Sequence, residues 1–254
     1  MLIALATLIS FLFFGGAGEI FYVDKFEKGI KKYVLEKDRK KEILAEVKSA
    51  KSVFKDFNKA RKNDFKTFSK MYIDRNTSSA QLSSFIDELQ SSRNEFQNTI
   101  IDQRLLIFAK IKPEEWNQIV ETSQTVAEKR IEKYKKKESK AKDVFAKTKA
   151  KIESDILNAG KKSNLIRGLE DLEKSIKNLE ALIVSINPVH NEILADKDAG
   201  KEKLIEFTSE ENEQRRILLE SLIAFRNTAK DNLAEIEWNK IMKTFSKEMQ
   251  ISSR

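Results

Sequence analysis

Sliding the 254-residue chain along itself by 122 positions lays residues 74–122 on 196–244 without a gap, and 12 of the 49 pairs are identical. The identities include Asp74/Asp196, Leu82/Leu204, Phe85/Phe207, Arg93/Arg215, Arg104/Arg226 and Thr122/Thr244. The chain's two tryptophans coincide, each inside Glu-Trp-Asn-x-Ile: Glu115, Trp116, Asn117 and Ile119 in one copy, Glu237, Trp238, Asn239 and Ile241 in the other. Upstream the identities fade but the apolar stripe persists, with Ile43, Leu44, Val47, Phe54 and Phe57 falling on Leu165, Ile166, Leu169, Ile176 and Leu179. Any two amphipathic helices share a stripe when aligned in phase, whereas a paired Trp-Asn and the absence of gaps need a duplication. The chain therefore builds one unit twice.

That unit is helical. Seven Gly and two Pro cannot supply the frequent turns that sandwiches, barrels and wound sheets require. Apolar residues instead recur at three- and four-residue steps, one seam per helix. Asn76–Ser79, Lys112–Pro113, Gly160 and Gly200 interrupt the seams, and Pro113 followed by Glu114 and Glu115 reads as a helix start with acids at its positive end. Residues 190–249 would pass for a single helix, but alignment with the first copy puts a break at 233–235. The expected helices are 24–75, 79–111, 113–158, 163–198, 201–233 and 235–250, with Pro188 kinking the fourth. The fold class is all-α: an elongated, antiparallel, coiled-coil-like bundle of two tandem three-helix repeats at 43–160 and 161–254. The second repeat has a truncated third helix, which predicts that Leu165, Leu169, Leu172, Ile176 and Leu179 lack cover within the chain and that a partner subunit or another copy buries them.

Ahead of the bundle, Leu2 to Phe14 are uncharged, Gly15, Gly16, Ala17 and Gly18 follow, and Glu19 is the only ionisable side chain before Asp24. The run to Val23 reaches roughly 33 Å as a helix, enough for a hydrocarbon core of about 30 Å. A cleaved signal peptide would use the same small residues, but no Lys or Arg precedes the apolar stretch. The expectation is a single transmembrane helix at 1–23 and a charged juxtamembrane helix at 24–42. Lys25, Lys28, Lys31, Lys32, Lys37, Arg39, Lys40 and Lys41 place the C-terminal bulk on the cytoplasmic side, with a periplasmic or external body as the alternative. Asp24, Glu27, Glu36 and Asp38 argue against a specific grip on anionic lipid by this stretch.

Little in the chain suggests catalysis. With no Cys and His190 as the only histidine, disulfides, thiol chemistry, Cys/His zinc sites and His-based triads are excluded. The 40 carboxylates alternate with lysines in the manner of solvated helix faces, and Gly15–Gly18 lacks the strand and Lys of a phosphate loop. No enzyme activity, cofactor, metal or small-molecule substrate is expected. Trp116 and Trp238, each in a first helical turn, suit the closing of a hairpin end better than an exposed partner anchor.

Basicity is segmental: residues 24–75 and 129–151 each carry a net +8, and the rest sums to −8. Lys133, Lys135, Lys136, Lys137, Lys140 and Lys142 are candidate partner-binding residues. Without aromatic platforms or a groove-reading motif, a solvated face or an acidic partner is favoured over nucleic acid. The functional expectation is a membrane-anchored scaffold, tether or accessory subunit whose partners are the lipid membrane and other protein subunits, copies of itself included. The alternatives are an ion- or proton-linked membrane assembly using Glu19, and acidic-polymer or nucleic-acid binding through 129–151.

Overall fold

The computed structural model describes residues 26–121 and 144–251, with the side chains of 180–191, 194, 250 and 251 outside the description. Every regular element among the described residues is a helix: α1 Phe26–Tyr33, α2 Lys37–Ile73, α3 Ser79–Ala109, α4 from 113 as far as 121, α5 Ala146–Asp155, α6 Ala159–Ala195, α7 Lys201–Asn232 and α8 Glu235–Ile251. The 122-residue period governs these boundaries. Helices α2 and α6 have 37 residues each, one period apart at both ends, and α3/α7 and α4/α8 start one period apart. The short helices α1 and α5 also correspond, and the corners after them match in backbone geometry, with Glu36 at φ −70°, ψ 116° and Asn158 at φ −71°, ψ 115°.

Several boundaries differ from the periodicity-based expectation. The helix expected at 24–75 breaks at 34–36, and the one expected through 113–158 has its last break at 156–158. At both corners an apolar residue, Val34 or Ile156, is buried while the next, Leu35 or Leu157, points outward, so the chain folds back on itself. Gly160 is not a stop: it lies in the first turn of α6, which starts at Ala159 rather than Ser163 because the Asn158 side chain accepts a hydrogen bond from Lys161 N at 3.0 Å. Helix α6 continues through Pro188 and ends at Ala195 rather than 198.

Two long hairpins, α2–α3 and α6–α7, pack through α3 and α7. Their cross-links step in opposite directions, Ser79 to Asn227, Asp87 to Arg216, Gln97 to Asn212 and Asp102 to Lys201, so the two helices are antiparallel. The paired positions reflect about Arg93 and Arg215, one period apart, and a pseudo-two-fold axis passes there. This arrangement sends the tip of each hairpin to the outer end of the other copy. At one end, Phe68, Tyr72, Leu82 and Ile86 of the first tip share a core with Leu165, Leu169, Leu222, Trp238, Ile241 and Phe245. At the other end, Phe26, Ile30, Val34, Ile43, Phe108, Trp116 and Ile119 pack together, and Ala199, Leu204 and Phe207 of the second tip meet Phe57, Phe96, Ile100 and Ile101 nearby.

The expected bare seam is absent. Leu165, Leu169, Leu172, Ile176 and Leu179 are all buried, the most accessible of them at 4%. Their cover is α7 and α8 together with α5 and the first copy's tip, and the last two lie outside a repeat that starts at residue 161. The apolar-surface argument for an obligate complex therefore falls.

Candidate functional site

The residues that recur in both copies converge at the two places where a hairpin tip enters the opposite end. Both tryptophans are buried, Trp116 at 3% and Trp238 at 1% exposure. Each indole N–H donates across the copies to the last carbonyl of a long helix: Trp116 to Ala195 O at 2.6 Å, Trp238 to Ile73 O at 2.8 Å. Ala195 and Ile73 are themselves one period apart. The terminal carbonyls of a helix have no partner within it, so each Trp fills the core and satisfies one of these groups.

Arg104 and Arg226 complete the seats. Arg226 donates through Nε to Tyr72 O at 2.8 Å and through Nη2 to Asp74 O and Thr77 O, both at 2.7 Å. Arg104 reaches the equivalent Asp196 O at 3.0 Å. Burial pushes the Arg104 guanidinium down to about 10, still charged at neutral pH, and lowers Arg226 as well. A fully buried guanidinium fits where several helix-end carbonyls converge, since its fork presents donors in fixed directions. Arg226 also lies over the Trp238 ring at 5.5 Å, whereas Arg104 lies over Phe108 at 4.2 Å.

Glu115 and Glu237 act locally as helix caps, accepting from Lys112 N at 2.9 Å and Ala234 N at 2.8 Å. Glu115 has a further partner: Arg39 of α2 grips it with two bonds of 2.6 Å and also donates to Lys110 O at 3.0 Å. The second copy has Lys161 at the equivalent position. The Arg39 guanidinium, with help from Lys112 N, holds the Glu115 carboxyl below the usual range. A carboxylate lowered in the folded state contributes stability that is complete above its unfolded value near 4.5 and is lost as pH falls through the lowered value. Glu115→Gln is thus expected to cost stability at neutral pH and to flatten the acid limb of a Tm-against-pH profile below about pH 5; an unchanged limb counts against the pair. Asn117 and Asn239 are exposed, and Ile119 and Ile241 are buried.

A polar layer lies at the pseudo-two-fold axis. Asn212 donates to Asn94 Oδ1 at 2.8 Å and to Gln97 Oε1 at 2.6 Å, and Arg215 reaches Asn212 and Glu211 at 2.8 and 3.0 Å. Arg93 and Arg61 lie close by, and burial together with the neighbouring Arg215 and Arg61 holds Arg93 well below its ordinary value. Such a layer disfavours other registers of α3 on α7, because a slip would leave buried charge unpaired. These arginines carried no role in the sequence reading; the available signal was the repetition of Arg93 and Arg104 at Arg215 and Arg226.

The remaining sequence candidates fall on residues outside the description. Leu2, Phe14, Gly15, Gly16, Gly18, Glu19 and Val23 lie outside the described residues, as do Lys133, Lys135, Lys136, Lys137, Lys140 and Lys142; of His190 only the helical backbone is described. Among the described residues no helix is long and apolar enough to cross a membrane, and no group of three or more His, Asp or Glu is placed to hold a metal. A depression of about 560 Å³ is lined by Glu36, Asp38, Arg39, Glu42, Lys110 and Lys112, among others. Its Arg39 is committed to Glu115 and Lys110, and Glu42 pairs with Lys110 at 3.4 Å. The chain matches no family model, no curated protein and no solved structure.

Proposed function

We propose that the chain is a membrane-anchored, non-enzymatic helical tether that holds a partner assembly at a set distance from a bilayer. The observation that carries this reading is the join between an apolar run, Leu2–Phe14 continuing to Val23 with Glu19 as its one charge, and a body of long interlocked helices. A 37-residue helix is roughly 55 Å long. Buried arginines and tryptophans fix the two copies against each other, and that rigidity suits a spacer more than a catalyst. Lysines and Arg39 follow the run in sequence, which supports a body on the cytoplasmic side.

Alkaline extraction of membranes carrying the full chain tests this reading. The expected result is retention in the membrane pellet and release only by detergent. Recovery of the intact chain in the alkaline supernatant would contradict it.

A further inference from the structure

The two short helices give the molecule an internal comparison. Helix α1 buries Phe26, Gly29 and Ile30, and a Cβ on Gly29 would lie 3.1 Å from Ile119, so α1 is held close against α4. Its outward face carries Lys28, Lys31 and Lys32, and Leu35 follows at the corner, all four exposed. Positions 28, 31 and 32 are spaced as one helix face, and Leu35 stands two residues past the end of that helix. The same positions one period later are Ala150, Glu153, Ser154 and Leu157. Both leucines project from matching corners, at 82% and 94% exposure. Lysines follow both corners, but only the copy beside the apolar N-terminal run carries them on the helix face before its leucine.

The acidic neighbours of this face are mostly already paired, Glu27 with Lys31 of the face itself. Glu27 is shared by Lys31 and Lys51, Glu36 pairs with Arg39 at 3.2 Å, and Glu42 with Lys110 at 3.4 Å. Among the described residues Lys28, Lys32, Lys37 and Lys41 have no carboxylate partner, and Asp38 is the acid left without a cation. From the end of the apolar run at Val23 to the start of α1 is three residues, about 10 Å of chain at most.

We propose that the outward face of α1 is a seat for an anionic lipid surface, with Lys28, Lys31 and Lys32 on the headgroups and Leu35 entering the acyl boundary. This rests on the anchored reading above and adds an orientation: the α1 end of the bundle lies on the membrane and the Leu157 end points away. Lysines beside an inserted apolar residue are the combination by which protein surfaces hold anionic bilayers.

The chain has no cysteine, so Leu35→Cys and Leu157→Cys each accept a single nitroxide label in the full-length protein. The labelled protein is placed in phosphatidylcholine vesicles with and without roughly 30% phosphatidylserine. On the anionic vesicles the label at 35 is expected to collide with oxygen in preference to a water-soluble nickel chelate, and the label at 157 the reverse. Lys28→Gln and Lys32→Gln each weaken the seat about fivefold, the factor equivalent to roughly 1 kcal/mol per lysine at such a surface. A label at 35 as open to nickel as the one at 157 overturns the seat, and so does spin–spin broadening without oxygen access, which would put a second copy there. Protein that stays with the vesicles at alkaline pH yet gives either result refutes the seat alone; protein that leaves them refutes the anchor as well.

Discussion

Trp238→Ala is expected to lower the unfolding free energy by about 3–5 kcal/mol, the usual cost of removing a buried aromatic ring. The ring is 1% exposed and belongs to the core where the first hairpin tip meets α6, α7 and α8. Truncation leaves a cavity at that junction and strips the partner from Ile73 O. Trp238→Phe separates the two effects: most of the packing survives, the hydrogen bond is lost, and about 1–2 kcal/mol is the expected penalty. Denaturant unfolding of the two variants measures both. Trp116→Ala should behave alike, since its N–H donates to Ala195 O and its ring packs on Phe26 and Phe108. A loss below about 1 kcal/mol for either Ala variant would mean that the seats do not hold the copies together.

Arg226→Met is expected to cost about as much, roughly 3–5 kcal/mol. Its three hydrogen bonds end on carbonyls at the C-terminus of α2 and in the following turn, where the helix cannot satisfy them itself. Methionine fills part of the volume but donates nothing, so those acceptors are left dry. Lysine keeps the charge without the fork and should rescue little of the loss. Because Arg226 lies over Trp238, the double variant should be less unstable than the sum of the singles, with a coupling of about 0.5–3 kcal/mol. Strict additivity would indicate two independent contacts instead of one seat.

The sequence contained the all-helical class and the period, and from these the breaks near residues 78, 112, 200 and 234. The first two coincide with interrupted apolar periodicity, and the last two follow from them by the 122-residue shift. The corner at 156–158 was read a few residues late, at Gly160, and the one at 34–36 was passed over although residues 36–42 are all charged, because a charged stretch also reads as the solvated face of a continuing helix. The exchange of hairpin tips was hidden. A helix seam states how much apolar surface must be buried, not which helix buries it, so Leu165 and Leu169 were expected to want a partner that the first copy's own tip supplies. The seats were half visible. The recurrence of Trp116 at Trp238 was plain, but the roles of Arg104 and Arg226 depend on where the helix-end carbonyls of the other copy fall. The pair of Arg39 and Glu115 exists in one copy only, so the period gave no hint of it.

The account stands or falls on the tip of each copy lying in the end of the other. Ser79 and Asn227 are 2.6 Å apart at their side-chain oxygens, and the chain has no native cysteine to interfere. Ser79→Cys with Asn227→Cys, oxidised in dilute detergent solution, should form a disulfide within one chain, seen as a faster-migrating monomer under non-reducing conditions that reverts on reduction. Two separate bundles arranged in tandem would hold these positions far apart. Free thiols persisting under oxidant in the folded protein, or cross-links only between chains, would contradict the intertwined fold.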